Sequence, residues 1–208
     1  MNLINHPIVR VGLMLALFAI VATSLVSLTE SNTRDKIIDN EKQALLKAIN
    51  ALVDSDDYDN DILTDIITLP ETAQLGTNDV TTVYRARKLN KPVAAIFTSI
   101  APNGYSGKIK LLVGVYFDGS LAGVRVISHK ETPGLGDKID AKKSDWILKF
   151  TGLSLTNPGE SAWKVKKDGG QFDQFTGATI TPRAVVKAVK NALYYFDKNR
   201  DNLFKEVQ

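Results

Sequence analysis

The chain has 208 residues, 44% hydrophobic and 24% charged, with a net charge of +3, the make-up of one globular domain joined to one apolar segment. So small a positive charge, with no basic helix carrying interleaved aromatics, excludes a nucleic-acid-binding role. With no cysteine and only two histidines, disulfides, thiolate-held metals and serine or cysteine triads are excluded as well, so no catalytic side chain and no metal ligand is expected.

Val11 to Thr29 carries no charge, and Arg10 and Glu30 bound it. At roughly 1.5 Å per residue this run reaches about 28 Å, close to the hydrocarbon thickness of a bilayer. Leu13, Leu15, Leu17, Phe18, Ile20, Val21, Leu25 and Val26 make it apolar all round, as lipid exposure requires. Ala22-Thr23-Ser24 offers a cleavage site for a signal peptide, but the apolar stretch continues past it, so an uncleaved anchor is predicted. Charge does not orient it: Arg10 precedes the span, while Arg34 and Lys36 follow it with Glu30 and Asp35 among them.

Asp35 to Val53 reads as a second helix, and the acidic run Asp54 to Asp61 breaks it. Asp57, Asp59 and Asp61 match the opening ligands of a calcium loop, but Ile62 replaces the glycine and Thr68 the closing glutamate, so a solvated acidic turn is expected. Thr81–Lys88, Val93–Ile100, Lys108–Phe117 and Leu121–Ser128 read as strands. Asn90-Lys91-Pro92 is expected to turn between the first two, and Asp118-Gly119 joins the last two. Ser144 to Phe150 suggests a short helix ended at Gly152, and Trp163 to Lys166 a further strand. The fold class is α+β: an antiparallel sheet with helices packed on one face, preceded by one N-terminal transmembrane helix. The expected divisions are residues 1–10 before the span, 11–29 the anchor, 30–80 a juxtamembrane helix and connecting region, and 81–208 the domain.

Two motifs carry chemistry. In Asp173-Gln174-Phe175-Thr176-Gly177-Ala178-Thr179, the last residue stands just ahead of Thr181-Pro182, a helix cap and a first-turn proline. From there Val185, Ala188, Val189, Ala192, Leu193 and Phe196 recur at helical spacing. A helix N-terminus favours a phosphate, and here it would meet a hydroxyl that Gly177 and Ala178 leave accessible. The other motif is His129-Lys130-Glu131-Thr132-Pro133-Gly134-Leu135-Gly136-Asp137-Lys138, a glycine-rich loop able to approach a ligand closely.

Asp-x-x-Thr-Gly-Ala-Thr resembles the attachment motif of flavoproteins whose FMN is joined to threonine by a phosphoester. Both motifs, their order and the single apolar span are similar to the G subunits of Rnf electron-transport complexes, from about Lys91 to Tyr194. The resemblance implies covalent FMN on Thr179, with Thr176, Gly177 and Ala178 holding the phosphoryl arm. Glu131, Thr132, Gly134, Leu135 and Gly136 would form the ring platform, their backbone N–H groups facing the ring's carbonyl and N5 edge. Lys130, Lys166 and Lys167 are candidate cations near the flavin, although a solvated strand end is the favoured reading of Lys166-Lys167. His129 is either a proton donor to N5 or a structural hydrogen-bond partner.

The implied role is a redox-driven translocase subunit that transfers electrons without independent catalysis. It would sit in a bacterial inner membrane as a single-pass protein, its N-terminus cytoplasmic and its C-terminal domain periplasmic. Its partners would be the other membrane subunits of the complex and a flavin transferase. Alternative readings are a C-subunit-like component of the sodium-pumping NADH:quinone reductase, a stand-alone extracytoplasmic flavin reductase, or a flavin-free extracytoplasmic scaffold.

Overall fold

The computed structural model describes residues 7–205, in two units that meet after Leu45. The first unit is helical. Helix α1 runs from Pro7 to Asn50, so the anchor and the second expected helix form one element rather than two. Glu30 to Arg34 contains no glycine or proline to break the helix, and Arg34 reaches back to Glu30 across one turn at 3.8 Å. The apolar stretch is long enough to cross a membrane, and none of its residues is buried within the protein. Thr29 and Thr33 donate their hydroxyls to the carbonyls of Leu25 and Thr29, each at 2.8 Å, so neither hydroxyl is orphaned near the end of that stretch.

The second unit is a five-stranded antiparallel meander: β1 (Ile66–Leu69), β2 (Thr81–Lys88), β3 (Lys91–Ala101), β4 (Ile109–Tyr116) and β5 (Leu121–Ser128), in that spatial order. Strand β1 has only four residues, β-branched at Ile66, Ile67 and Thr68 but too short to show an alternating pattern. The β2–β3 turn falls on Leu89 and Asn90, both with positive φ, and not on Asn90-Lys91-Pro92. Pro92 lies within β3, opposite Arg87 at a register shift, where a missing N–H is tolerated. Gly119, at φ 92°, closes the β4–β5 hairpin, and Asp118 accepts the Ser120 N–H at 2.8 Å.

Both sheet faces are covered. On one, Phe97, Leu111, Val113 and Val115 pack into a core with Val185, Val189, Leu193 and Phe196 of α2 (Ile180–Phe204). On the other, paired Gly114 and Gly123 lack the Cβ atoms that would lie 3.3 and 3.0 Å from the Leu52 side chain. The expectation of helices on one face is met by α2, while the segment after α1 seals the opposite face.

Between β5 and α2 the chain runs from residue 129 to 179 with no strand and no helix beyond six residues. An aromatic cluster packs this excursion together. Phe150 stacks on Phe172 at 4.7 Å, and Trp146 packs edge-on against Phe175 at 5.3 Å. Both indole N–H groups are satisfied, Trp146 by the Asp173 carbonyl at 2.8 Å and Trp163 by that of Ser154 at 3.0 Å. Asp145–Phe150 is the expected short helix, of 3-10 type and capped by the Ser144 hydroxyl. Trp163 to Lys166 is not a strand. Val165 makes one bridge to Phe172, and 3-10 turns at Glu160–Ala162 and Lys166–Asp168 flank it. Packing of Trp163 and Val165 into the core replaces the ladder that a strand would need.

Candidate functional site

The Thr176–Thr179 segment is a tight turn set before a helix. Ala178 N–H returns to the Phe175 carbonyl at 3.0 Å, with Gly177 at φ 80° in the region open to glycine. Trp146 holds Asp173 by its carbonyl, while its carboxylate accepts from Lys166 at 2.5 Å and Lys149 at 2.9 Å. These two ammonium groups hold the Asp173 carboxyl below its ordinary range. The first residue of the motif therefore pins the turn.

Thr179 is half-buried, takes helical backbone angles (φ −72°, ψ −27°), and makes no side-chain capping bond. Its hydroxyl has no hydrogen-bond partner among the described residues. A capping threonine ordinarily spends that hydroxyl on the second or third N–H of its helix. The helix starts at Ile180, so Thr181 lies inside the first turn instead of capping it. Pro182 remains within that turn, where its missing N–H costs nothing. The N–H groups of Ile180 and Thr181 and the helix dipole favour negative charge beside Thr179.

Glu131 links this turn to the second motif. Only 5% exposed, it accepts the Ser106 N–H on Oε1 at 3.0 Å and the hydroxyl of fully buried Thr181 on Oε2. Two glycines make room for it. A Cβ on Gly104 would stand 2.8 Å from Oε1, and one on Gly136 2.8 Å from both Oε2 and the Thr181 hydroxyl. No basic side chain pairs with Glu131 among the described residues, so its charge rests on these donors and on the positive end of α2.

The Glu131–Gly136 loop folds onto itself. The Thr132 carbonyl accepts N–H groups from Leu135 at 3.2 Å and Gly136 at 3.1 Å, with Gly134 at φ 77° making the reversal. The Glu131 N–H goes to His129 Nδ1 at 3.1 Å, which gives His129 a structural role. The expectation that the loop's N–H groups face a ligand is narrowed by this geometry to two of them. Those of Glu131, Leu135 and Gly136 are spent internally, and those of Thr132 and Gly134 have no partner among the described residues. What the loop presents is Leu135, 42% exposed, whose Cδ2 would lie 3.6 Å from a Cβ on Gly177. The two motifs therefore meet, with exposed Thr132, Gly134 and Thr176 around that contact and Ile180, 45% exposed, following Thr179.

Lys130 is exposed, Lys166 is engaged with Asp173, and Lys167 lies on the surface of a 3-10 turn. Two contributors have no local signature in the chain, Thr181 and Ser106 as partners of Glu131. Glu131 and Thr181 are 50 positions apart, a pairing that no spacing rule reaches.

A family model described as an FMN-binding domain matches residues 104–194, and one described as the RnfG N-terminal region matches residues 1–52. The chain is 51% identical over 197 residues to the G subunit of the ion-translocating oxidoreductase complex of Pseudoalteromonas atlantica, covering 95% of this chain and 92% of the relative. It is 46% identical over 200 residues to the corresponding protein of Shewanella baltica, covering 96% and 94%. With that of Vibrio cholerae it shares 47% identity over 195 residues, 94% of this chain and 93% of the relative. Matches of this identity along nearly the whole of both chains settle the kinship: the chain belongs to the family of ion-translocating oxidoreductase complex G subunits.

Proposed function

We propose that this chain is the membrane-anchored electron-transfer subunit of an ion-translocating Rnf-type complex and carries FMN as a phosphoester on Thr179. The observation that supports this most is the free, half-buried Thr179 hydroxyl at the start of α2, beside Gly177 and the exposed Leu135. When bound, the flavin supplies the redox chemistry, and the protein supplies position and surroundings.

Attachment needs an activated donor, a flavin phosphoanhydride presented by a separate flavin transferase. Thr179 Oγ would bond to phosphorus as the anhydride P–O bond breaks, and the hydroxyl proton would leave with the departing phosphate. The N–H groups of Ile180 and Thr181 then face the remaining negative charge. Gly177 and Ala178 keep the approach open, Thr176 flanks the arm, and Thr132, Gly134 and Leu135 offer an apolar, hydrogen-bonding platform. Glu131 and Gly136 act from beneath, fixing the platform against the first turn of α2 through Thr181. Helix α1 anchors the chain in the bacterial inner membrane, with the domain on the periplasmic side. A covalent tether suits that side, because it keeps the ring at an effective concentration of millimolar order where lost cofactor is not recaptured.

The test is flavin fluorescence in a denaturing gel, on chain co-produced with a flavin transferase. Wild type is expected to fluoresce and Thr179→Ala to be dark, with an intact mass for the wild type raised by one FMN residue. Fluorescence persisting in Thr179→Ala would refute the attachment site.

A further inference from the structure

A groove of about 480 Å³ lies between α2 and the segment 163–168. Its floor is apolar and belongs to the folded core: Trp163, Val165 and Val186 are all buried. Two ion pairs fasten the neighbouring chain to the helix. Arg183 donates two N–H bonds to Asp168 at 2.6 and 2.8 Å, and Lys190 lies 3.3 Å from Glu160. Lys164 and Lys187 also line the groove, are exposed, and make no ion pair or side-chain hydrogen bond among the described residues. Lys187 further borders a second depression of about 180 Å³ beside Gly76 and Pro102, so it stands on a ridge between two hollows.

We propose that this groove docks an acidic segment of another subunit, its carboxylates meeting Lys164 and Lys187 and an apolar side chain meeting the floor. Charge complementarity selects that occupant. Residues 129–191 contain eleven basic and seven acidic side chains, and two of those acids, Glu131 and Asp137, are buried. An uncharged oxidised flavin ring gains nothing from two ammonium groups, whereas a carboxylate pair does. Position supplies the purpose. Arg183 follows Thr179 by one helical turn, about 6 Å of rise, so a partner seated here is close to the proposed redox centre. Contacts of this kind are small and steered by charge. The proposal rests on the electron-transfer reading for that purpose, while the groove and its unpaired lysines stand without it.

The test uses the assembled complex. A zero-length carbodiimide, which joins an amine directly to a carboxylate, is expected to link Lys164 or Lys187 to an Asp or Glu of a different subunit. Acetylation of both lysines is expected to fall about tenfold on assembly, as for roughly 90% occupancy. A Lys164→Glu, Lys187→Glu chain should keep its in-gel flavin fluorescence yet lose the cross-link. Equal acetylation in the free and assembled chain would overturn the proposal. So would cross-links only to the acidic residues 54–61 of a second copy, which would make the face a self-association surface. Protection already present in the isolated flavin-bearing chain and lifted by Thr179→Ala would overturn it too, assigning the groove to the tethered ring. In-gel fluorescence of the same samples reports the flavin reading separately, so absence of covalent flavin would sink that reading and leave the cross-linking result to decide this one.

Discussion

At the C-terminal end of α2, Arg85 and Arg87 donate to the carbonyls of Lys205 and Phe204 at 2.8 and 2.9 Å, and Asp65 holds both guanidinium groups at 2.5 and 2.9 Å. At the N-terminal end the buried charge is negative: Glu131 accepts from Thr181 and Ser106 and has no cation beside it among the described residues. Each sign suits its end of the helix dipole. The difference lies in compensation. The C-terminal end is an anchor in which the buried charges and last carbonyls find partners. The N-terminal end is tied down by Glu131 through Thr181, yet leaves the Thr179 hydroxyl uncommitted. A rigid helix start with one unspent hydroxyl is what an acceptor site needs, and the anchored far end keeps that start in place.

The comparison breaks most visibly at the anchor. Asp65→Ala leaves two buried guanidinium groups without their carboxylate, and about 3 kcal/mol of stability should be lost. Urea unfolding of the detergent-solubilised chain measures this, and a loss under about 1 kcal/mol would show that the helix carbonyls and dipole suffice. At the other end Thr181→Val keeps the volume and removes the hydroxyl that Glu131 accepts. The expected loss is about 1–2 kcal/mol, the cost of an unpaired buried acceptor. Thr181→Ser should recover most of it, and both variants should keep the in-gel flavin fluorescence proposed for Thr179, which is untouched. Equal stability of the valine and serine variants would remove Glu131–Thr181 from the account of the N-terminal end.

The smallest effect concerns Asp173, which pins the Thr176–Thr179 turn from the surface. Lys166 and Lys149 lower its carboxyl in the folded protein, so its contribution is complete above the ordinary carboxylate value of about 4 and is lost as pH falls through the lowered folded value. The group is 42% exposed, and solvent screening keeps the contribution under about 1 kcal/mol. Asp173→Asn should therefore be slightly less stable than wild type at pH 7 and indistinguishable from it in strong acid. A gap that widens on acidification would show the opposite linkage.

Much of this architecture is legible in the residues alone. Apolar length and the absence of charge mark the membrane span, period-2 and period-3.6 patterns mark β2 to β5 and α2, and the Thr-Gly-Ala-Thr and Pro-Gly-Leu-Gly segments mark the site. These are local properties, repeated within a few positions and so readable from a single chain. Other features have no such signature. Strand β1 is too short to show a period, α1 runs on through Glu30 to Arg34 where the apolar pattern stops, and Trp163 to Lys166 has the residues of a strand without a neighbour to pair with. Thr181 has the residue type and the following proline of a cap, but its hydroxyl is claimed by a carboxylate from a distant loop.

Local spacing by itself determined which hydroxyl stands before a helix and which loop is rich in glycine. Only the tertiary structure decided that Glu131 ties the glycine-rich loop to Thr181, that Leu135 meets Gly177, and that Lys164 and Lys187 share a groove. Those arrangements join residues up to 50 positions apart. They exist because burying a carboxylate demands donors from wherever the fold can bring them, and adjacency along the chain says nothing about that.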